Sequence, residues 1–169
     1  YLDEHQVLLN PEGLWYPVTV PPVNPASPYV IEKNFTGYRL TVHGVKGQTV
    51  ISQGERRDTG EGVVFENNYP LTGISLCVGD YERRYLRLDS VDYELFLFKG
   101  HGIFVEAYED VLNDLPGYFS GNLKPSIERD FNKEYPFKRL LFIETPRTFV
   151  TYYRDQRGGS EYVQPEIIF

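Results

Sequence analysis

Turn signals recur roughly every ten residues along the first part of this chain, and the short segments between them alternate apolar and polar residues. The alternation is clearest over residues 34–45, where Tyr38, Leu40 and Val42 fall on one side of a two-residue period. The same pattern predicts further strands over 48–53, 63–66, 74–78, 81–88 and 91–99. Such spacing is typical of an antiparallel β-sandwich or an open meander.

The composition agrees with β-structure and narrows the classes of partner. Aromatic residues make up 15% of the chain, and flat rings pack well across strands. The chain has 24 acidic and 17 basic residues, so its formal net charge is -7. This balance offers phosphate groups little to bind, and we expect no nucleic acid partner. No apolar run reaches the roughly 18 residues that span a bilayer, so we expect no membrane contact by this segment itself.

Two stretches of the first part carry separate predictions. Residues 54–62 are rich in charge and glycine, so they are predicted as a turn or hairpin loop. Trp15 and Tyr16 follow a proline-containing segment and are predicted to cover the edge of the core. Cys77 is the only cysteine, which excludes an internal disulfide, and its apolar neighbours predict a small buried side chain.

The pattern changes to helical spacing after about residue 105. Helices are predicted over 108–115 and 124–133, and in the second one Ile127 and Phe131 lie four apart on one face. We therefore place a soft boundary between a β-sandwich-like region, 1–105, and a small α+β segment, 106–169. The predicted fold class is mainly β, an antiparallel β-sandwich-like region followed by that segment.

The last part of the chain contains two apolar strand candidates. Residues 139–145 form a short apolar run between prolines, and residues 162–169 form a second one. A glycine turn separates them, so they are predicted to form a long hairpin or two neighbouring strands. The turn brings Glu161 to the start of the second strand.

Several polar residues are candidates for chemistry, each with a structural alternative. Glu161 and Glu166 have the residue types of a glycosidase pair, but residues five apart on an unbroken strand point to opposite faces. Glu144 ends an apolar strand and is either a carboxylate at the rim or a functional acid. His43 is predicted to be solvated, and the glycines around His101 predict a turn rather than a metal site.

Three motifs together resemble a known family. They are Tyr69-Pro70-Leu71-Thr72-Gly73-Ile74-Ser75-Leu76-Cys77-Val78-Gly79-Asp80-Tyr81, Tyr135-Pro136-Phe137-Lys138-Arg139, and Gly158-Gly159-Ser160-Glu161-Tyr162-Val163-Gln164-Pro165-Glu166. They resemble the pre-catalytic region of M1 aminopeptidases, the gluzincin zinc peptidases, and more closely the bacterial proteins in which such a region is fused to an ABC-transporter permease. The resemblance implies that 1–105 is the tail of the M1 amino-terminal domain and that 106–169 opens the catalytic domain.

The resemblance also implies a substrate contact. The family's Gly-x-Met-Glu-Asn segment lies along the peptide, and its Glu holds the free amine. That role falls here on Glu161, with Gly158, Gly159 and Ser160 beside it; Ser160 replaces the family's Met and Tyr162 its Asn. The zinc-binding His-Glu-x-x-His of the family is absent, because His5, His43 and His101 lie far apart.

We therefore expect a non-catalytic accessory segment of an M1-like zinc metallopeptidase. It would pack on the catalytic domain, its partner, and line the peptide cleft at the extracytoplasmic face of a membrane-tethered bacterial protein. No cofactor is expected in this chain, since zinc would belong to the catalytic domain. The alternative is a separate β-sandwich module that binds carbohydrate or protein, a possibility raised by the many tyrosines and the acidic charge.

Overall fold

The chain is mainly β, as the sequence predicts. The computed structural model describes residues 2–13, 15–17, 35–45, 47–88, 90–103, 117–146, 148–149 and 163–169. The described strands are β1 (Gln6–Leu9), β2 (Arg39–His43), β3 (Thr49–Ser52), β4 (Glu55–Thr59), β5 (Gly62–Glu66), β6 (Leu76–Gly79), β7 (Tyr81–Leu88), β8 (Val91–Phe98), β9 (Arg139–Ile143), β10 (Val163–Gln164) and β11 (Ile167–Ile168). The described helical elements are a 3₁₀ turn (Pro11–Gly13), a π-helical turn (Phe119–Leu123) and helix α1 (Lys124–Phe131).

The first compact unit runs to Asp80 and includes a further segment from Phe149, and it contains two three-stranded antiparallel sheets. Their strand orders are β1-β6-β3 and β2-β5-β4. Apolar side chains from both sheets form one buried cluster, which consists of Val50, Val63, Phe65, Leu76 and Val78. This arrangement is a small β-sandwich, because each sheet covers its apolar face with the other. Trp15 packs against the cluster as predicted, and Cys77 is fully buried as predicted.

The prediction of a loop over residues 54–62 was wrong. Glu55–Thr59 forms β4, which pairs along its whole length with β5. All five side chains of β4 are exposed, so the strand has no apolar alternation for a sequence pattern to detect. The Arg56 guanidinium donates to both carboxylate oxygens of Asp58, at 2.9 and 2.7 Å. Such internally paired charges suit a strand at the edge of a sheet, where they discourage pairing with another chain.

The second compact unit begins at Tyr81 and contains a five-stranded mixed sheet in the order β10-β11-β9-β8-β7. β8 runs antiparallel to β7 and parallel to β9, and β9 runs parallel to β11. β7 and β8 precede residue 105 in the chain, whereas β9 follows it. The sheet therefore contains strands from both sides of the boundary that the sequence suggested, and the chain passes from one compact unit to the other after Asp80 and again after Thr148.

The C-terminal apolar run is not one strand. It breaks at Pro165 and Glu166 into β10 and β11, which form a short antiparallel hairpin. Glu166 has a φ of 64°. A proline followed by a residue of positive φ is typical of a type II turn. Because β11 lies parallel to β9, the two predicted strands are neighbours, and the predicted long hairpin between them was wrong.

Helix α1 begins at Lys124, as predicted, and ends two residues before the predicted limit. Asn132 follows it in the left-handed conformation with a φ of 50°. Its backbone N–H donates to the carbonyl of Arg129, and the N–H of Lys133 donates to the carbonyl of Glu128. These bonds satisfy the last carbonyls of the helix. The other predicted helix, 108–115, lies outside the described residues.

Candidate functional site

The four predicted substrate contacts, Gly158, Gly159, Ser160 and Glu161, lie outside the described residues. Their role in holding a peptide amine therefore stays a prediction. The description resumes at Val163, the first residue of the hairpin to which this segment leads. That hairpin pairs with β9 through β11.

A buried ion pair ties the hairpin to β9. The Arg139 guanidinium lies 3.4 Å from the Glu166 carboxylate, and the two side chains are only 17% and 8% exposed. The backbone N–H of Leu141 donates to the Glu166 carbonyl at 2.7 Å. Glu166 is therefore held by both its backbone and its side chain, and its carboxylate is engaged with an arginine. The glycosidase pair of Glu166 with Glu161, which the sequence argues against, is not tested here, since Glu161 is not among the described residues.

Tyr135 lies beside this ion pair. Its hydroxyl donates to the carbonyl of Arg139 at 3.1 Å. Burial raises the pKa of the Tyr135 hydroxyl, and the nearby Glu166 carboxylate and Tyr93 raise it further. The phenol therefore stays neutral over the physiological range. It acts as a hydrogen-bond donor that fixes the start of β9.

Glu128 of α1 connects the helix to the same region. Its carboxylate accepts the backbone N–H of Tyr135 at 2.7 Å and lies 3.2 Å from the Lys124 ammonium. The Tyr135 N–H lowers the pKa of the Glu128 carboxyl, and Lys124 lowers it further against the opposing effect of burial. The ionised form of Glu128 is therefore the one that holds the segment after the helix.

A second polar cluster lies where the parallel strands β8 and β9 end. His101 follows β8 in a tight turn, and its Nδ1–H donates to Oε1 of Glu144 at 2.6 Å. The other carboxylate oxygen of Glu144 accepts the backbone N–H of Phe98 at 2.8 Å. The Phe98 ring meets the imidazole edge-on, with ring centres 5.7 Å apart. We call His101, Glu144, Glu82 and Arg84 the carboxyl-end cluster.

Glu82 and Arg84 of β7 complete this cluster. Oε1 of Glu82 accepts the backbone N–H of Gly100, which has a φ of 84°. The Arg84 guanidinium and Glu82 carboxylate reach Gly102 so closely that a Cβ there would lie 3.0 and 3.1 Å from them. A side chain at Gly102 would therefore require the ends of these two side chains to move by a few tenths of an ångström.

The sequence predicted the positions of His101 and Glu144 relative to turns and strands, but it did not predict that the two side chains are in contact. The turn at His101 is confirmed, and Glu144 follows the end of β9 as expected. Their contact depends on the parallel register of β8 and β9, in which Phe96 pairs with Ile143. The signal available in the sequence was that both residues follow apolar strands. That signal alone does not say that the strands are adjacent and parallel.

The resemblance places zinc on the catalytic domain and not on this chain. Among the described residues, no group of three or more His, Cys, Asp or Glu side chains is placed to hold a metal ion. His43 and His101 each direct Nδ1 to a protein oxygen, the carbonyl of Glu61 and the carboxylate of Glu144.

No protein-family model matches the sequence, and no curated protein matches it significantly. Within the parts of the chain that are described, no helix has the length and apolar character needed to cross a membrane.

Proposed function

We propose that this chain is an accessory segment of an M1-like zinc metallopeptidase that packs on the catalytic domain and lines its peptide cleft. The observation that carries this proposal is the exposed apolar face of α1. Ile127 is 48% exposed and Phe131 is 75% exposed, although they lie four apart on one helix face. No residue of α1 is buried.

An amphipathic helix normally stabilises itself by burying its apolar face. Here that face is left to solvent, although the helix is capped at its carboxyl end and is anchored by Glu128. A packing partner would remove both large side chains from water. On the resemblance of its motifs to M1 proteins, this partner would be the zinc-binding domain of the same parent protein. In that assembly Glu161 would hold the peptide amine, and the metal ligands would come from the partner.

The coding sequence downstream of Phe169 provides the first test. We expect it to encode His-Glu-x-x-His and a later Glu, which together supply three zinc ligands. A stop codon or an unrelated domain there would contradict the accessory role. It would instead favour the separate β-sandwich module that binds carbohydrate or protein.

A binding experiment tests the docking face directly. The downstream domain is titrated with this chain in a calorimeter, using the wild type and the Ile127→Ser/Phe131→Ser variant. We expect the double variant to weaken binding by about tenfold or more, since buried aromatic anchors dominate interface energies. Leu86→Ser is the matched control, because Leu86 is also exposed, at 41%, but lies on β7. Equal affinities for all three proteins would contradict docking through α1.

A further inference from the structure

The five-stranded sheet has an edge that the accessory role does not use. β7 lies at one end of its strand order, and the side chains of residues 83–87 are all exposed. We propose that β7 is a docking edge for an acidic peptide, which adds to the sheet as an extended antiparallel strand. This inference goes beyond the proposed function, because it requires no zinc, no Glu161 and no downstream domain.

The hydrogen bonds of β8 indicate which backbone groups of β7 point outward. The N–H of Asp92 donates to the Lys138 carbonyl at 2.8 Å. The carbonyl of Phe96 accepts the Glu144 N–H at 2.9 Å. In an antiparallel strand, the N–H and C=O of one residue point to the same side. Asp92 and Phe96 therefore direct their backbone groups toward β9 and away from β7.

The residues of β7 that pair with these two direct their own backbone groups away from β8. Arg87 lies opposite Asp92, and Arg83 lies opposite Phe96. Tyr85 lies between the two arginines and has the same orientation, because the pattern repeats every two residues. Each of the three residues of β7 therefore offers one N–H and one C=O to an added strand, which is the backbone arrangement that β-strand addition uses.

Positive charge predominates on β7, in contrast to the chain as a whole. The strand contains three arginines and one glutamate, whereas the whole chain has a net charge of -7. β4, another fully exposed edge strand, contains two arginines, one glutamate and one aspartate, so its charges cancel. Charge complementarity therefore favours an acidic peptide at β7 and not at β4.

Two arginines of β7 are positioned to bind carboxylates of a peptide. The Nε of Arg83 lies 2.7 Å from Glu94. The Nε of Arg87 lies 3.6 Å from Asp92. Both acids belong to β8, one strand further from the edge, and the two arginine side chains remain 53% and 65% exposed. A guanidinium has five N–H donors, so each arginine can bind a second carboxylate while it keeps the first.

The side chains of β7 specify the pattern of the peptide. Residues directly opposite each other in an antiparallel pair have their side chains on the same face. Acidic residues opposite Arg83 and Arg87 are therefore four positions apart in the peptide. A β-branched residue midway between them would pack on the exposed ring of Tyr85, and an apolar residue beside it would cover Leu86, which is 41% exposed.

A second copy of the chain fits this edge less well than an acidic peptide does. Two β7 strands related by a twofold axis pair antiparallel, with one residue opposite its own copy at the axis. An axis at Arg83 or at Arg84 places that arginine opposite itself. An axis at Tyr85 places Arg83 opposite Arg87. Like charges directly opposite each other destabilise a strand pair, so these three registers are all unfavourable.

Fluorescence anisotropy with short peptides tests the proposal on the unmodified chain. The probe is a labelled peptide with blocked ends, Thr-Glu-Leu-Val-Thr-Glu-Thr, whose two glutamates would face Arg83 and Arg87. Replacing both glutamates by glutamine should raise the dissociation constant by about fivefold or more, because two exposed charge pairs are lost. Added salt should weaken binding of the acidic peptide only. Equal affinities for the two peptides would overturn the proposal.

N-methylated peptides test whether binding occurs by strand addition. The N–H of the valine would donate to the Tyr85 carbonyl, whereas the N–H of the threonine after it would point away from β7. N-methylation of the valine should raise the dissociation constant by about fivefold or more, because one hydrogen bond is lost and the methyl group prevents close approach. The matched control is N-methylation of that threonine, which should leave the affinity unchanged. Equal losses from both modifications would overturn strand addition.

A variant of the chain locates the binding site. Arg87→Gln should weaken binding of the acidic peptide by about two- to fivefold, the effect of one exposed charge pair. This variant should still fold, because Asp92 keeps the Tyr85 hydroxyl as a donor at 2.8 Å. Arg57→Gln is the matched control, since Arg57 lies on β4, is 59% exposed and also contacts a carboxylate, at 3.4 Å.

Two outcomes of these experiments would overturn the proposal. One is an equal loss of peptide affinity in the Arg87→Gln and Arg57→Gln variants, which would mean that only the total charge of the chain matters. The other is a wild-type dimer in analytical ultracentrifugation that Tyr85→Pro converts to a monomer. Proline is tolerated where a strand directs its N–H to an open edge, so that result would identify a second copy of the chain as the occupant of β7.

Discussion

The left-handed backbone of Glu166 leads to a prediction that separates strain from charge. Glu166 lies in the turn between β10 and β11 with a φ of 64° and is 7% exposed. Two substitutions, Glu166→Ala and Glu166→Gly, both remove the carboxylate that faces Arg139. Only the glycine variant also removes the Cβ that makes this conformation unfavourable. The difference in stability between the two variants therefore measures the cost of the left-handed backbone. The stability that both variants lose measures the contribution of the ion pair.

The magnitudes follow from the burial of the pair. Removing one member of a buried ion pair costs about 3 kcal/mol or more, because the remaining charge stays in a poorly solvated place. The Arg139 side chain is 17% exposed, so Glu166→Ala should lower the free energy of unfolding by about this amount. A left-handed conformation costs an ordinary residue about 1–2 kcal/mol. Glycine avoids that cost but gains entropy on unfolding, so Glu166→Gly should be about 1 kcal/mol more stable than Glu166→Ala.

Urea denaturation followed by far-ultraviolet circular dichroism would measure both differences. In a chain of this size, 1 kcal/mol corresponds to a melting-temperature change of about 2–4 °C. Asn132→Gly is a suitable control, because Asn132 also has a positive φ, 50°, and asparagine tolerates this region better than glutamate does. Replacing Asn132 by glycine should therefore increase stability less than glycine does relative to alanine at position 166. Equal stability of the alanine and glycine variants at 166 would refute the strain argument, and a Glu166→Ala variant as stable as the wild type would refute the role of the ion pair.

Three further predictions concern other parts of the chain. Gly62→Ala should destabilise the chain by about 1–3 kcal/mol in urea denaturation, because the added Cβ would overlap a β2 carbonyl oxygen; a neutral result would contradict the register of β2 and β5. Gln53→Leu should lower the free energy of unfolding by about 1–3 kcal/mol in the same assay, because it removes the side-chain oxygen that accepts the buried N–H of Ser75 at 2.8 Å. Unchanged stability would show that another group replaces that acceptor. The contact of Glu128 with the Tyr135 N–H should stabilise the chain above the unfolded pKa of a glutamate, and this stabilisation should be lost as the pH falls through the lowered folded pKa. The difference in unfolding free energy between the wild type and Glu128→Gln should therefore shrink in acid. A difference that does not depend on pH would contradict this.

Two of the strands that were predicted correctly have a clear apolar pattern. β8 and β9 carry apolar runs, and the burial of their side chains provides the same signal in the sequence and in the structure. β4 was missed because all its side chains are exposed, and its pairing with β5 supplies the reason for its extended conformation. The break at Pro165 was missed because the apolar residues on both sides of it looked continuous. In the structure, the turn and the parallel pairing of β11 with β9 decide the path of the chain.

The candidate sites likewise differ in what the sequence and the structure each reveal. The predicted amine contact at Glu161 rests on a motif and lies outside the described residues, so it stays a prediction. The carboxyl-end cluster was visible only as two separate residues, His101 and Glu144, which lie 43 positions apart in the sequence. Neither residue belongs to a short motif with a mechanism of its own. Only the pairing of β8 with β9 places the imidazole against the carboxylate.

The sequence by itself determined the fold class, most strand positions and the position of α1, because alternation, turn residues and capping act over a few neighbouring positions. The tertiary structure alone decided which strands are neighbours, which of them run parallel, and where the compact units divide. Those outcomes depend on contacts between residues far apart in the chain, and no local pattern encodes them. The buried pair of Arg139 and Glu166 illustrates the difference, since each is an ordinary charged residue until β11 lies beside β9.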